Sequence, residues 1–245
     1  MVTFMQNGIE PINIKSVKDI CIIRLEELIL SGDLKIGERL PSERDFAIRI
    51  GVSRPVLHEA LVDLNSKGLV QIIPRRGIYV SDYRHSGSLS ILSSLLAYHD
   101  GKLDNTILQS LIDTRMIVET ESARLAALNR TSVQLSEFQD LLHDEQDAVN
   151  NNPQALTNID FIFHLTVAIA SANLIYPLII NSFKGVYTSL TGKFFRKYCG
   201  TQVVEAVLQF HIKLVNAFDQ MDEDSAKSIM MEMLRHGETY LEGDY

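Results

Sequence analysis

The stretch SERDFAIRIGVSRPVLHEALVDLNSKGLVQIIPRRGIYV, residues 42–80, decides how the first part of this chain folds. Ser42 carries a helix-start signal: its hydroxyl can take an orphan backbone N–H, and Asp45, three residues on, can reach back as a capping-box partner. That helix ends near Ile50, where Gly51 permits a left-handed turn. Ser53 caps the next helix. Its apolar positions Val56, Leu57, Ala60, Leu61 and Leu64 share one face, and Gly68 ends it. Residues 69–73 and 78–80 are β-type runs around the turn Pro74-Arg75-Arg76-Gly77. Upstream, Val17, Ile20, Leu25, Leu28 and Ile29 recur at helical spacing before Gly32, and 34–40 reads as a turn. The order helix, helix, turn, helix, hairpin predicts a winged helix-turn-helix over residues 15–81. Residues 1–14 lack periodicity and read as a loose arm.

Beyond Ser81 the pattern changes. Residues 82–90 are polar, contain Gly87 and read as a linker. From 91 to 245 only helical periodicity remains, over about 88–99, 105–128, 133–150, 154–171, 174–197, 202–220 and 223–241. The expected fold class is mainly α: a winged helix-turn-helix with a small β-hairpin, then an all-α helical bundle. Residues 161–180 are apolar enough to raise a membrane span. His164, Thr166, Ser171, Asn173 and Pro177 within them favour a buried helix pair broken near Asn173.

Charge is divided between the two parts. The chain carries a net −8, yet residues 15–85 hold twelve Lys and Arg against ten Asp and Glu, while residues 86–245 hold eleven against twenty. Only the first part can approach phosphate. Cys21 and Cys199 form no CxxC pair, so a reducing compartment fits. No signal peptide is evident, and a cytoplasmic location is expected.

In a helix-turn-helix the second helix enters the major groove and sets its N-terminal residues against base edges. Here that end bears Ser53, Arg54, Pro55 and His58, off the apolar face. Arg54 can pair with guanine O6 and N7, a contact worth about 1–3 kcal/mol of discrimination. Ser53 can donate to a phosphate, Arg44 can reach groove or backbone, and Arg75 and Arg76 form a basic hairpin tip suited to a minor groove. Any one of these arginines alone is more often plain solvation; the joint pattern reverses that weighting.

These residues resemble the GntR family's N-terminal domain. The likeness lies in Gly37-Glu38-Arg39-Leu40-Pro41-Ser42-Glu43-Arg44, then Gly51-Val52-Ser53-Arg54, Glu59-Ala60-Leu61, Gly68-Leu69-Val70 and Arg76-Gly77-Ile78-Tyr79-Val80. The resemblance implies DNA contacts at Arg44, Ser53, Arg54, position 58 and the wing glycine, here Gly77. His58 departs from it, because relatives usually carry arginine there.

In the acidic part, Asp160 and His164 stand four residues apart on one helix face, a spacing that can bind one metal ion. A hydrogen-bonded or solvated pair is the commoner meaning of that spacing. His211 and His236 lie within other helical patterns. Arg115-Met116-Ile117-Val118-Glu119, with Ala126-Ala127, then Asp160-Phe161-Ile162-Phe163-His164, Ser171-Ala172-Asn173, and His211 with Ala217, Asp222 and Ala226 are similar to the FCD ligand-binding domain of the FadR subfamily. That resemblance implies a divalent metal, Zn or Ni, held by one Asp and three His. Asp160, His164 and His211 take three of those positions, and Met233 stands at the fourth. Three alternatives stay open: His236, one turn later, enters the site; three protein ligands suffice; or the site is degenerate.

The implied function is a sequence-specific regulator of transcription, a repressor, not an enzyme. Its homodimer would meet a pseudo-palindromic double-stranded operator, because one weakly basic module binds poorly at physiological salt. A small carboxylate effector, a sugar acid or organic acid, would bind the helical part with Arg115 as a charged contact, unless Arg115 pairs instead with Glu119, one turn away; both readings stay open. Two rivals are a metal-dependent hydrolase and an interaction module that has lost DNA binding. No nucleophile motif or phosphate loop supports the first, and the intact Arg44, Ser53 and Arg54 speak against the second.

Overall fold

The computed structural model describes residues 16–91, 94 and 105–241. The arm expected over 1–14 lies outside them, as does most of the helix expected over 88–99. The chain divides into two compact units, with the boundary between Ser94 and Leu95.

The first unit is a winged helix-turn-helix. α1 (Val17–Leu30), α2 (Glu43–Ile50) and α3 (Arg54–Ser66) are followed by β1 (Val70–Ile73), β2 (Gly77–Val80) and the short α4 (Tyr83–Ser86). Ser42 accepts from the backbone of Asp45 to start α2, and Gly51, at φ +80°, ends it. That left-handed turn, costly for a residue with a Cβ, redirects the chain into α3. The hairpin is antiparallel, with Val70 opposite Val80 and Ile72 opposite Ile78. Residues 37–40, read from sequence as a turn, add a third short rung. Leu40 donates to Ile78, Val80 donates to Glu38, and Arg39 bridges Tyr79.

α1 packs on α3, and Cys21, Leu25 and Ile29 of α1 and Leu57, Leu61 and Leu64 of α3 are all buried. The helix stands where its periodicity places it, but its inner face is rotated. Val17 and Ile20 are exposed, and Glu26 is buried instead. Glu26 is tolerated there because Lys67 Nζ lies 2.8 Å away and Ser94 Oγ donates to the same oxygen at 2.7 Å, which satisfies a charge that burial would otherwise penalise.

The stretch expected as a linker is fastened to this unit. Asp82 caps α4, Ser86 Oγ donates to the carbonyl of Gly68 at 2.9 Å, and the backbone of Ser88 donates to Lys67.

The described residues of the second unit are all α: α5 (Asn105–Asn129), α6 (Ser132–Ala148), α7 (Pro153–Ala170), α8 (Tyr176–Ser182), α9 (Lys184–Tyr198), α10 (Gln202–Asp219) and α11 (Glu223–Leu241). α7 is buried on most of its surface from Leu156 to Ala170, with one exposed stripe at Asn158, Ile162 and Ile169, as befits a central helix. α5, α6, α8 and α9 pack on it, and α5 also packs on α11. Phe138, Phe163 and Phe218 centre the core among Ala123, Ala126, Leu214 and Met230. The single helix expected over 174–197 is two. α8 and α9 meet at Phe183, where Ser182 Oγ turns back onto the carbonyl of Ile179, a contact that bends helices. Among the described residues no helix is long and apolar enough to cross a membrane.

Candidate nucleic-acid interface and helical cavity

In the winged unit the N-terminal turn of α3 is open to solvent. Ser53 holds the N-cap position, but its side chain makes no capping hydrogen bond. Sequence gave it a capping role; in the structure Pro55 in the first turn removes one N–H that a cap would serve. Arg54 and His58 are exposed, and both turn to Glu43 on α2. Arg54 Nε lies 3.4 Å from one carboxylate oxygen and His58 Nδ1 lies 2.9 Å from the other. The hydrogen bond from His58 holds the Glu43 carboxyl below its ordinary range against the burial that raises it, and Arg54 adds to the lowering. Arg44 is exposed in the same turn of α2.

At the wing, Arg75 sits at φ +63° and Gly77 at φ +116°. Arg75 and Arg76 are exposed at the tip. A Cβ on Gly77 would come within 2.9 Å of Arg39 Nε, so the glycine lets the Arg39 side chain lie against the wing. Glu43 and Arg39 were not singled out from sequence, because an acid within a basic surface and an arginine in a turn carry no periodic signal.

In the helical unit Asp160 and His164 of α7 meet His211 of α10. One ligand-type atom from each lies within 4.8 Å of the others, and all three residues are buried. The Nε2 atoms of His164 and His211 each lie 3.9 Å from Asp160 Oδ1. Behind them stand two acids: Glu119, expected from sequence only as a partner of Arg115, and Glu145, which sequence reasoning missed. Glu119 of α5 pairs with His164 Nδ1, and Glu145 of α6 lies 2.7 Å from His211 Nδ1. Carboxylates only accept, so each Nδ1 carries a proton, and in the neutral ring each Nε2 would offer its lone pair toward Asp160. His211 Nε2 is buried without a hydrogen-bond partner among the described residues. Asp160 Oδ2 accepts from Tyr187 at 2.7 Å.

Arg115 Nε lies 2.5 Å from Glu119, and its guanidinium stacks 4.4 Å from the Tyr187 ring centre. Burial alone would raise the Glu119 carboxyl, but Arg115 and His164 outweigh it and hold it at about 2. For His211, burial favours the neutral ring, while Glu145 and Asp160 prevail and raise its pKa. Tyr187, desolvated beside Asp160, is pushed well above its ordinary value and stays a donor.

His236 is not part of this group. Its Nε2 donates to the carbonyl of Val203 at 3.1 Å, and its ring packs on Phe210 and Tyr240. Met233, three residues earlier on α11, instead lines a cavity beside Asp160, His164, Arg115 and Tyr187. Of the four ligands expected, three converge and His236 turns to a different surface of α11. The cavity has about 60 Å³ open to the centres of water-sized molecules. The rest of its wall is largely apolar: Ile112, Phe194, Phe195, Val207 and Leu234, with Thr191, Gly237 and Glu238.

A winged helix-turn-helix joined to an all-α unit with a cavity is the build of a DNA-binding transcriptional regulator. The description "Bacterial regulatory proteins, gntR family" matches residues 22–80 and "FadR C-terminal domain" matches residues 81–241. The chain belongs to the GntR family of bacterial regulatory proteins, with a FadR-type C-terminal domain. It is 31% identical over 184 residues to the HTH-type transcriptional regulator Mce2R of Mycobacterium tuberculosis, covering 74% of each chain. It is 29% identical over 198 residues to a fatty acid metabolism regulator protein of Yersinia enterocolitica, covering 81% of this chain and 79% of that one. In fold it resembles Lar of Listeria monocytogenes, at TM-score 0.63 and 15% identity, over 95% of this chain and all of that one. These relatives are regulators of transcription, and the chain is a regulator rather than an enzyme.

Proposed function

We propose that the chain is a homodimeric repressor that binds an operator duplex through α3 and the wing, and whose affinity a small carboxylate effector lowers from the helical cavity. The observation that carries the effector reading is the cavity with a polar end, where Asp160, His164 and Arg115 meet a largely apolar wall. On the winged unit, Arg54 and His58 would meet base edges, Ser53 and Arg44 phosphate or groove, and Arg75, Arg76 and Gly77 the minor groove.

The three converging donors suit a divalent ion of the Zn or Ni type. Two imidazoles with fixed tautomers, one carboxylate and the unpartnered His211 Nε2 support that fit. Asp160, His164 and His211 would hold the ion, and the ion would supply a Lewis-acidic anchor for an effector carboxylate. Arg115 would add a second positive contact at the same end. The apolar wall favours an organic acid with a hydrocarbon body over a polyhydroxylated sugar acid, since burying hydroxyls without partners is costly. Relatives named for fatty acid metabolism point the same way. Effector and operator oppose each other only if the effector binds one arrangement of the dimer better than the other.

The test is fluorescence anisotropy with DNA flanking the protein's own gene, at two salt concentrations, beside metal analysis of the purified protein. Wild type should bind tightly and lose affinity as salt rises, and Arg54→Ala should lose sequence preference while keeping its fold. Equal affinity for the flanking DNA and an unrelated duplex would overturn the DNA reading. Absence of metal, with no thermal shift on adding Zn or Ni, would overturn the metal reading.

A further inference from the structure

The surface assigned to DNA carries one acid at its centre. Glu43 lies beside Arg54 and His58, with one carboxylate oxygen for each. An unneutralised carboxylate there repels phosphate, so its contribution to DNA binding must come through the two residues it holds.

We infer that Glu43 is the positioning residue that sets base specificity, by fixing the tautomer of His58 and the direction of the Arg54 guanidinium. This rests on reading α3 as the recognition helix. A carboxylate can only accept, so the His58 Nδ1 that lies 2.9 Å from Glu43 is the protonated nitrogen. In the neutral ring the other nitrogen, Nε2, is then a pure acceptor. It matches the amino donors on base edges, N6 of adenine or N4 of cytosine. An arginine at this position could only donate and would match guanine. His58 held by Glu43 therefore asks for the opposite base chemistry.

The same clamp acts on Arg54. Glu43 takes Nε at 3.4 Å, which leaves both terminal nitrogens for a bidentate pair with guanine O6 and N7. The carboxylate also lowers affinity for any duplex that does not reward these two groups, so it raises discrimination while reducing raw binding. Ionisation of Glu43 at neutral pH agrees with both roles, since the hydrogen bond from His58 keeps its carboxyl below the usual range.

The experiment uses the full chain. Long-range ¹H–¹⁵N correlation of the histidine rings at pH 8 reads the tautomer of His58. Selection from a randomised duplex pool, followed by anisotropy against the selected and an unselected duplex, reads specificity. Wild type should show a protonated Nδ1 on His58 and enrich adenine or cytosine at one position of each half-site. Glu43→Ala should release the tautomer, bind unselected duplex about 3- to 10-fold tighter, and lose about tenfold of preference for the wild-type site. Glu43→Gln, which keeps an acceptor but no charge, should retain the tautomer and the base preference at that position while binding unselected duplex more tightly. This split separates positioning from a structural role, and it carries the test if Glu43→Ala folds poorly. A Glu43→Ala protein that selects the same site with the same preference overturns the inference alone. A wild type that selects no site overturns the reading of α3 and this inference with it.

Discussion

Glu119 and His164 are paired inside the helical unit, carboxylate to Nδ1, so that the Nε2 of His164 faces Asp160. Glu145 does the same for His211 from a different helix. Such backing carboxylates orient a ligating imidazole and raise its basicity, and their loss commonly weakens a metal site by about 10- to 100-fold. Glu119→Gln and Glu145→Gln should each weaken Zn²⁺ or Ni²⁺ binding by that order in calorimetric titration. An unchanged affinity in both would mean that the histidines are not used through Nε2.

The same Glu119 predicts acid sensitivity. Its carboxyl is held at about 2 in the folded protein, below the ordinary glutamate value. A depressed carboxylate stabilises the fold above the unfolded pKa, and that contribution fades as pH falls toward the folded one. In metal-free protein the contribution at pH 7 should be on the order of 3 kcal/mol. Glu119→Gln should therefore unfold at lower urea than wild type at pH 7, with the gap narrowing steadily between pH 4.5 and 2.5. A gap that stays constant with pH would show that Arg115 and His164 do not hold the charged form.

What could be read from sequence follows physical reach. The winged unit was legible because Ser42, Gly51 and Gly68 punctuate it locally, within the few residues over which caps and turns act. The inner face of α1 was not, because Glu26 is buried by Lys67, 41 residues away. Asp160 and His164 showed as a pair because one helical turn separates them. His211 came only through resemblance. Glu119 was legible only as a partner for Arg115, four residues earlier on its own helix. Its pairing with His164, and that of Glu145 with His211, gave no signal, since those histidines sit on other helices, 66 residues away for Glu145. The choice between Met233 and His236 needed the rotation of α11, which periodicity fixes only loosely.

Gly68 ties the segment after the wing to the winged unit. It sits at φ +77°, and a Cβ there would come 1.9 Å from the carbonyl oxygen of Ser86. Neither the backbone angle nor the close approach tolerates a side chain. Gly68→Ala should cost more than about 1 kcal/mol and release residues 82–91 from their hydrogen bonds. Hydrogen exchange should speed up in that segment, while the amides of α2 and α3 keep their protection. Unchanged exchange after Ser81 would show that the segment is not held through this glycine.

Met233 and His236 give opposite predictions for one helix. Met233 lines the cavity beside His164 and Asp160, whereas the His236 ring is engaged with Val203, Phe210 and Tyr240. A thioether binds borderline divalent ions weakly and an imidazole binds them well. Met233→His should therefore add a ligand and tighten Ni²⁺ or Zn²⁺ by about tenfold or more, each factor of ten being worth about 1.4 kcal/mol. His236→Ala should leave metal affinity within about twofold and instead loosen the contact between α10 and α11, lowering the melting temperature by a few degrees. The reverse pattern, metal lost with His236→Ala and unchanged with Met233→His, would place His236 in the site and require α11 to turn by about a sixth of a helical turn.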